Sequence, residues 1–76
     1  MIHVEFIGPV RKPEGKSVHE LPHTPTMTVG GVLFLLGFAA GEARFLLVAV
    51  GGDVRPHSFL VADGDCLTVS LPVGGG

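Results

Sequence analysis

The sequence predicts an α+β fold in which one helix packs across a mixed sheet of four to five strands. Residues 2–7 and 66–71 alternate apolar and polar side chains, which is typical of strands with one buried face. Between them, residues 29–36 place apolar side chains at i, i+3, i+4 and i+7, the spacing of an amphipathic helix. Strand patterns at both ends and a helix between them favour one sheet covered on one side by that helix.

The composition excludes several classes of protein. The chain has 76 residues, 46% of them hydrophobic and 16% charged, which suits one domain with a real core. A net charge of -2 gives no basic footprint for nucleic acid, and one cysteine excludes an internal disulfide framework. The most apolar run, residues 27–41, is shorter than the roughly 20 residues of a membrane span. With no secretory leader pattern in addition, we expect a cytoplasmic protein with no membrane partner.

The first half of the chain reads as a hairpin. In the first strand, residues 2–7, the side chains of Ile2, Val4 and Phe6 share one face, and a Gly-Pro pair follows it. Residues 17–21 form the expected second strand, with Val18 as its inward residue. Pro22 confines that strand to a sheet edge, because proline has no N–H to donate to a ladder.

The predicted helix starts after Thr28, a residue type that caps helix N-termini well. Gly37 supplies its C-terminal stop, and Gly41 is expected in the loop that follows. Phe34 and Leu35 lie off the apolar stripe. They either widen the core face or form a small exposed patch, and the sequence does not decide between the two.

The second half predicts three more strands. Residues 44–50 are a continuous apolar run, and Gly51-Gly52 begins a tight reversal into a short edge strand at residues 54–60. An Asp-Gly-Asp turn at residues 63–65 precedes the last strand. The order is strand, strand, helix, strand, short strand, strand, which is the β-grasp or ubiquitin-like arrangement.

The last strand runs directly into a glycine tail. Its outward side chains are Cys66, Thr68 and Ser70, and Pro72 ends its pairing. We expect residues 1–71 to form the domain and residues 72–76 to form a flexible tail, because three glycines have no side chain to bury. The reactive group of that tail is the carboxylate of Gly76. Bare glycines would let it enter a narrow channel in a partner enzyme, although a frayed chain end would look the same.

Three segments resemble the MoaD/ThiS family of ubiquitin-like sulfur carrier proteins. Residues 28–38, TVGGVLFLLGF, are similar to the family's helix motif, and residues 60–67, LVADGDCL, to the turn before its last strand. Residues 72–76, PVGGG, are similar to the family's terminal Gly-Gly. The turn after the third strand has Gly51-Gly52 where the family often has asparagine, which leaves the subfamily open.

The resemblance implies a specific chemistry. A partner resembling the ubiquitin-activating enzymes would use ATP and Mg²⁺ to adenylate the Gly76 carboxylate, and a persulfide would convert it to a thiocarboxylate. The chain itself would bind no cofactor. Gly76 would carry the sulfur with Gly75 behind it, and the residues expected to contact partners are Thr68, Ser70, Pro72, Val73 and Gly74.

The resemblance also implies the partners. They are the adenylating enzyme, a sulfur donor of the cysteine desulfurase or rhodanese-like kind, and a sulfur-accepting synthase. The acceptor is the molybdopterin precursor, the thiamine thiazole, a tRNA base or an amino-acid precursor, with molybdopterin favoured. The chain would then be a carrier rather than an enzyme, or the small subunit of a molybdopterin-synthase-like enzyme.

Two other functions stay open. The chain could be a ubiquitin-like modifier, with Gly76 joined to a lysine, or an interaction module whose tail is incidental. Other polar groups favour bland interpretations: His19 and His23 as surface histidines rather than a metal pair, and His3 and His57 as solvent-facing side chains. The sequence predicts no metal site, no ATP site, and no special role for Cys66.

Overall fold

The computed structural model describes residues 1–72. Within them the chain forms five strands, two α-helices and one 3₁₀ turn at Pro13–Gly15. In chain order the elements are β1 (Ile2–Phe6), β2 (Val18–Leu21), α1 (Val29–Leu35), α2 (Ala40–Ala43), β3 (Leu47–Val50), β4 (Asp53–Arg55) and β5 (Cys66–Ser70). The sheet order is β2-β1-β5-β3-β4.

The sheet is mixed, with the last strand in its middle. β5 runs parallel to β1 on one side and antiparallel to β3 on the other. β1 pairs with β2, and β3 with β4, each antiparallel. The predicted hairpin, the two edge strands and the β-grasp order are therefore confirmed.

One face of the sheet packs against α1. The alternating residues Ile2, Val4 and Phe6 of β1 are at most 2% exposed, and Leu67 and Val69 of β5 at most 1%. From α1, the side chains of the predicted apolar stripe meet them. The fully buried members of that stripe are Val29, Val32 and Leu33, and Leu36 packs at their margin.

Both predicted ends of α1 are confirmed. The Thr28 hydroxyl accepts a hydrogen bond from the Gly31 N–H at 3.0 Å, which satisfies one of the free donors of the first turn. Gly37 has φ +93°, the left-handed conformation that commonly follows a helix end. Phe34 and Leu35, which the sequence left open, are 74% and 61% exposed, so they add nothing to the core.

The inward residue predicted for β2 is wrong. Val18 is 45% exposed, whereas His19 and Leu21 are half-buried. The register explains this, because His19 lies opposite Val4 and Leu21 opposite Ile2, both on the core face. One valine among polar residues does not reveal which face of β2 is buried, whereas the pairing with β1 does.

The stretch before β3 also departs from prediction. The expected strand at residues 44–50 begins only at Leu47, and residues 40–43 form α2 where a loop with Gly41 was expected. The Arg44 N–H bonds the Ala40 carbonyl at 3.2 Å, which continues the helical turn up to the strand. Residues 40–43 contain two alanines and one glutamate, which are good helix formers, but one turn leaves no periodic signal.

The other strands are trimmed at their ends. β1 stops at Phe6 rather than Ile7, and β5 at Ser70 rather than Leu71. The edge strand expected at residues 54–60 is the shorter β4, because Pro56 cannot donate and the Phe59 N–H turns back to the Pro56 carbonyl. Within residues 1–72, no helix is long and apolar enough to cross a membrane.

Candidate functional site

The point where the chain leaves the sheet is firmly anchored. β5 is hydrogen-bonded to a strand on each side, and its last inward residue, Val69, is fully buried. Ser70 and Leu71 are half-buried, and Pro72 is exposed. The remaining site residues, Val73, Gly74, Gly75 and Gly76, lie outside the described residues. Whatever follows Pro72 therefore starts from the middle of the sheet rather than from an edge.

Thr68 and Ser70 lie on the sheet face away from α1, where alternation in β5 places them. Across the sheet, Thr68 is flanked by Glu5 of β1 and Ala49 of β3, and Ser70 lies beside Leu47. This open face thus presents small and polar side chains along the strand that leads to Pro72.

Basic side chains gather around the end of β5. The Lys12 ammonium group donates to the Gly8 carbonyl at 2.9 Å. The residue before Gly8, Ile7, donates its N–H to the Val69 carbonyl near the end of β5. Arg44 stands just before β3, the strand that pairs with the end of β5. Asp53 begins β4, and Asp63 and Asp65 precede β5, so all three lie near the start of β5 rather than its end. Lys12 and Arg44 therefore belong to segments next to the strand end from which residue 72 leads.

Arg11 and Glu42 form an ion pair at the same end. The guanidinium donates to both carboxylate oxygens at 2.9 Å and to the Gly37 carbonyl at 3.2 Å, and it lies 4.4 Å from the centre of the Phe38 ring. The hydrogen bond from Arg11 lowers the pKa of Glu42 below its usual value and raises the pKa of Arg11. The pair ties the segment after β1 to α2.

Two solved structures resemble this domain over almost its whole length. A crystal structure of SAMP1 from Haloferax volcanii superposes with a TM-score of 0.76 at 21% identity, covering 99% of this chain and 98% of that one. A crystal structure of H. volcanii small archaeal modifier protein 1 gives 0.77 at 18% identity, covering 95% and 97%. The fold is ubiquitin-like. No protein-family model and no curated protein matches the sequence.

The histidines of this ubiquitin-like domain are bound more firmly than the sequence suggested. The His57 Nε2 lies 3.0 Å from the Leu46 carbonyl, and the His23 Nε2 3.0 Å from the Val61 carbonyl. His19 contacts two carbonyls through Nε2 and packs edge-on against Phe6. The prediction that His57 is solvent-facing without a partner is therefore wrong. Backbone partners far apart in sequence cannot be inferred from a lone histidine.

Cys66 and His3 share a row on the open face. Their backbones are paired between β5 and β1, and the His3 Nδ1 lies 3.9 Å from a carboxylate oxygen of Glu20 on β2. The His3 side chain is 44% exposed, which agrees with the expected solvent-facing position, and Glu20 is its neighbour across the sheet. The Cys66 thiol is exposed. No group of three His, Cys, Asp or Glu side chains that would hold a metal occurs within residues 1–72.

The Asp-Gly-Asp segment behaves as a turn. Asp65 accepts a hydrogen bond from the Ala62 N–H at 2.8 Å, and Gly64 has φ +90°. Asp63 instead pairs with the amino group of Met1, and that hydrogen bond lowers the pKa of the carboxyl group. The two carboxylates are therefore each engaged in local structure, as the turn interpretation requires.

Proposed function

We propose that this chain is a sulfur carrier whose Gly76 carboxylate is activated by a partner enzyme and converted to a thiocarboxylate. The observation that carries the proposal is the position of β5, which holds the start of residues 72–76 in the middle of a ubiquitin-like sheet. A carboxylate that must enter another protein's active site benefits from an anchored base and from a tail whose last three residues have no Cβ atoms. The chain would act as a carrier, not an enzyme.

The chemistry follows from the poor reactivity of a carboxylate. An activating enzyme of the ubiquitin-activating kind would transfer AMP from Mg²⁺-bound ATP to Gly76 and release pyrophosphate. The terminal sulfur of a persulfide then displaces AMP, and a second thiol cleaves the resulting acyl disulfide, leaving the thiocarboxylate and a disulfide. The thiocarboxylate would finally pass its sulfur to an acceptor, for which a molybdopterin precursor is our first choice.

The surface described above fits this role. The open face carries Thr68 and Ser70 beside the exit of the chain, and Lys12 and Arg44 belong to segments next to that exit. We propose that the activating enzyme docks there and that Val73 and Gly74 follow into its channel. Positive charge at the exit would favour a partner with an acidic rim and would speed its encounter.

A second function is protein modification. It is favoured by the solved structures, since one of them is described as a small archaeal modifier protein. In this case the same acyl-adenylate would pass to an enzyme thiol and then to a lysine amine, forming an isopeptide bond. The two functions share the adenylation step and differ in the final nucleophile.

The deciding experiment combines the chain, with its free carboxyl end, with ATP, Mg²⁺, a candidate activating enzyme and a persulfide donor, followed by intact mass measurement. The sulfur-carrier proposal expects a mass gain that matches the exchange of one oxygen for sulfur. The gain should vanish when Gly75 and Gly76 are deleted and should persist in Cys66→Ser. A gain that needs Cys66 instead would contradict the tail chemistry. Adducts at lysines of an added protein would indicate the modifier.

A further inference from the structure

A second surface lies on the helix side of the domain, away from the open face. A groove of about 280 Å³ runs between α1 and α2, with mostly apolar walls. Its lining includes Phe34, Phe38, Ala40, Ala43, Arg44 and His57. Apart from Arg44, which also lies near the exit of β5, these side chains take no part in the docking proposed above.

The walls of the groove are held in place before anything binds. The Gly30 N–H donates to the His57 carbonyl at 2.8 Å, and a Cβ at Gly30 would lie only 3.3 Å from that oxygen. The His57 ring in turn contacts the Leu46 carbonyl at 3.0 Å. These bonds fix the loop after β4 against α1, so a ligand would meet a preformed site.

Exposed aromatic side chains border the groove. Phe34 is 74% exposed and Phe45 is 59% exposed, although both belong to segments that pack on the core. Leu35 adds a third exposed apolar side chain beside Phe34. Phe34 lines the groove, and the Phe45 ring lies against Arg44, which also lines it, so two exposed aromatic rings lie at this site.

The groove also carries one uncompensated positive charge. The Arg44 guanidinium lies 4.8 Å from the centre of the Phe45 ring, and no carboxylate within residues 1–72 is within ion-pair distance of it. Glu42, the acidic residue nearest in sequence, is already bound on both oxygens by Arg11. An occupant with a carboxylate would therefore complete the charge pairing of the groove.

We propose that this groove binds an acidic, apolar peptide segment of a partner protein. One large apolar side chain of that segment would fill the space beside Phe34, and an adjacent aspartate or glutamate would pair with Arg44. The volume is just below the usual range for small-molecule pockets, roughly 300–1,000 Å³, which suits a side chain better than a cofactor.

Charge argues against a second copy of this chain as the occupant. In a two-fold dimer the same patch faces itself, so the groove of each copy would add another Arg44 to the interface. A partner bound here would leave the open face, with Thr68 and Ser70, accessible.

The test is an NMR titration of the ¹⁵N-labelled chain with a blocked peptide, GSEFDDLEGS, and with a matched peptide in which lysine replaces every acidic residue. We expect the acidic peptide to shift amide signals of α1, α2 and the loop after β4, and the lysine peptide to bind at least about tenfold more weakly. Shifts confined to the open face, or none at all, would overturn the proposal.

Charge reversal sharpens the test. Arg44→Glu should weaken the acidic peptide by about tenfold and improve the lysine peptide. Arg55→Glu is the control, because Arg55 also lies over an aromatic ring, Phe59 at 5.0 Å, but pairs with Asp53 at 3.8 Å and does not line the groove. Equal effects of the two reversals would overturn the proposal, since binding would then follow net charge alone.

A filled groove gives an independent variant. Ala40→Trp places a large side chain at an exposed position of the lining and should abolish binding of the acidic peptide. Unfolding of each variant by heat shows whether it is folded, and binding retained by a folded Ala40→Trp would contradict the proposal. Concentration-dependent shifts of the same amides without peptide would assign the groove to self-association instead.

Discussion

Ser70, the last residue of β5, lies opposite Leu47, the first residue of β3. Because of this pairing, the chain leaves β5 between the open face and the segment that leads to the groove. The open face continues from Ser70 through Thr68, and the segment that leads into β3 carries Arg44, which lines the groove, and Phe45, whose ring lies against Arg44. A partner on either surface would therefore sit close to the start of residues 72–76.

The first prediction concerns the open face. Thr68→Arg should lower the rate of Gly76 adenylation at low carrier concentration, because a long side chain would obstruct the docking surface. The arginine would face Glu5 across β1, so the free energy of unfolding should change by no more than about 0.5 kcal/mol. Pyrophosphate release, measured against carrier concentration with a candidate activating enzyme, tests this.

Thr26→Arg is the control for that experiment, because Thr26 is exposed and precedes α1. It introduces the same charge and bulk away from the open face. Adenylation lowered equally by both substitutions would refute the docking assignment. The tail chemistry itself would stand, since it is tested by the mass of the product.

The second prediction concerns the start of α1. Thr28→Ala removes the hydroxyl that accepts the Gly31 N–H and should lower the free energy of unfolding by about 1 kcal/mol. Thr28→Ser should retain most of the stability, since serine keeps the acceptor. Thr26→Ala is the matched control and should change little. Urea denaturation monitored by circular dichroism measures all three, and equal losses in Thr26→Ala and Thr28→Ala would contradict the capping role.

The third prediction compares two glycines at which an added methyl group would meet only open space. Gly37 has φ +93°, so Gly37→Ala should destabilise the fold by about 1–2 kcal/mol through backbone strain alone. Gly41 lies in α2 without a left-handed φ, so Gly41→Ala should stabilise it by about 0.4–1 kcal/mol. Opposite signs in thermal unfolding are expected. A loss of stability in both variants would mean that contacts, not backbone conformation, decide.

The sequence predicted the elements with strong periodicity and missed those fixed by distant partners. β1, α1 and β5 were predictable because their apolar residues repeat with the period of a strand or a helix, and these residues are buried in the core. Val18 was assigned to the wrong face because the pairing of β2 with β1, not the sequence of β2 itself, decides which β2 side chains point to the core. The helical turn at α2 was missed because a single turn shows no period.

The candidate site divides in the same way. Alternation along β5 is enough to place Thr68 and Ser70 on the face away from α1. The groove was not predictable, because α1, α2 and the loop that carries His57 form it together and only the fold brings them into contact. The one sign of the groove in the sequence was that Phe34 lies off the apolar stripe of the helix, and this was compatible with a core position as well.

The last prediction concerns the Arg11–Glu42 ion pair and pH. The hydrogen bond from Arg11 lowers the pKa of Glu42 in the folded chain. The unfolded chain therefore binds a proton at a higher pH, close to the ordinary glutamate pKa of about 4.3. The contribution of the pair is complete above that pH and is lost as the pH falls through the lower, folded-state pKa. In Glu42→Gln the side chain has no charge at any pH, so this contribution to stability and its pH dependence should both be absent.

Thermal unfolding of the wild type and Glu42→Gln as a function of pH measures the effect. At neutral pH the wild type should melt at the higher temperature, and the difference should shrink steadily as the solution is acidified below about pH 4. Both side chains of the pair are exposed, so added salt should also reduce the difference. Glu5→Gln on the open face provides the control, since Glu5 makes no ion pair within residues 1–72. A wild-type advantage over Glu42→Gln that is the same at neutral and acidic pH would show that the ion pair does not stabilise the fold through the charge of Glu42.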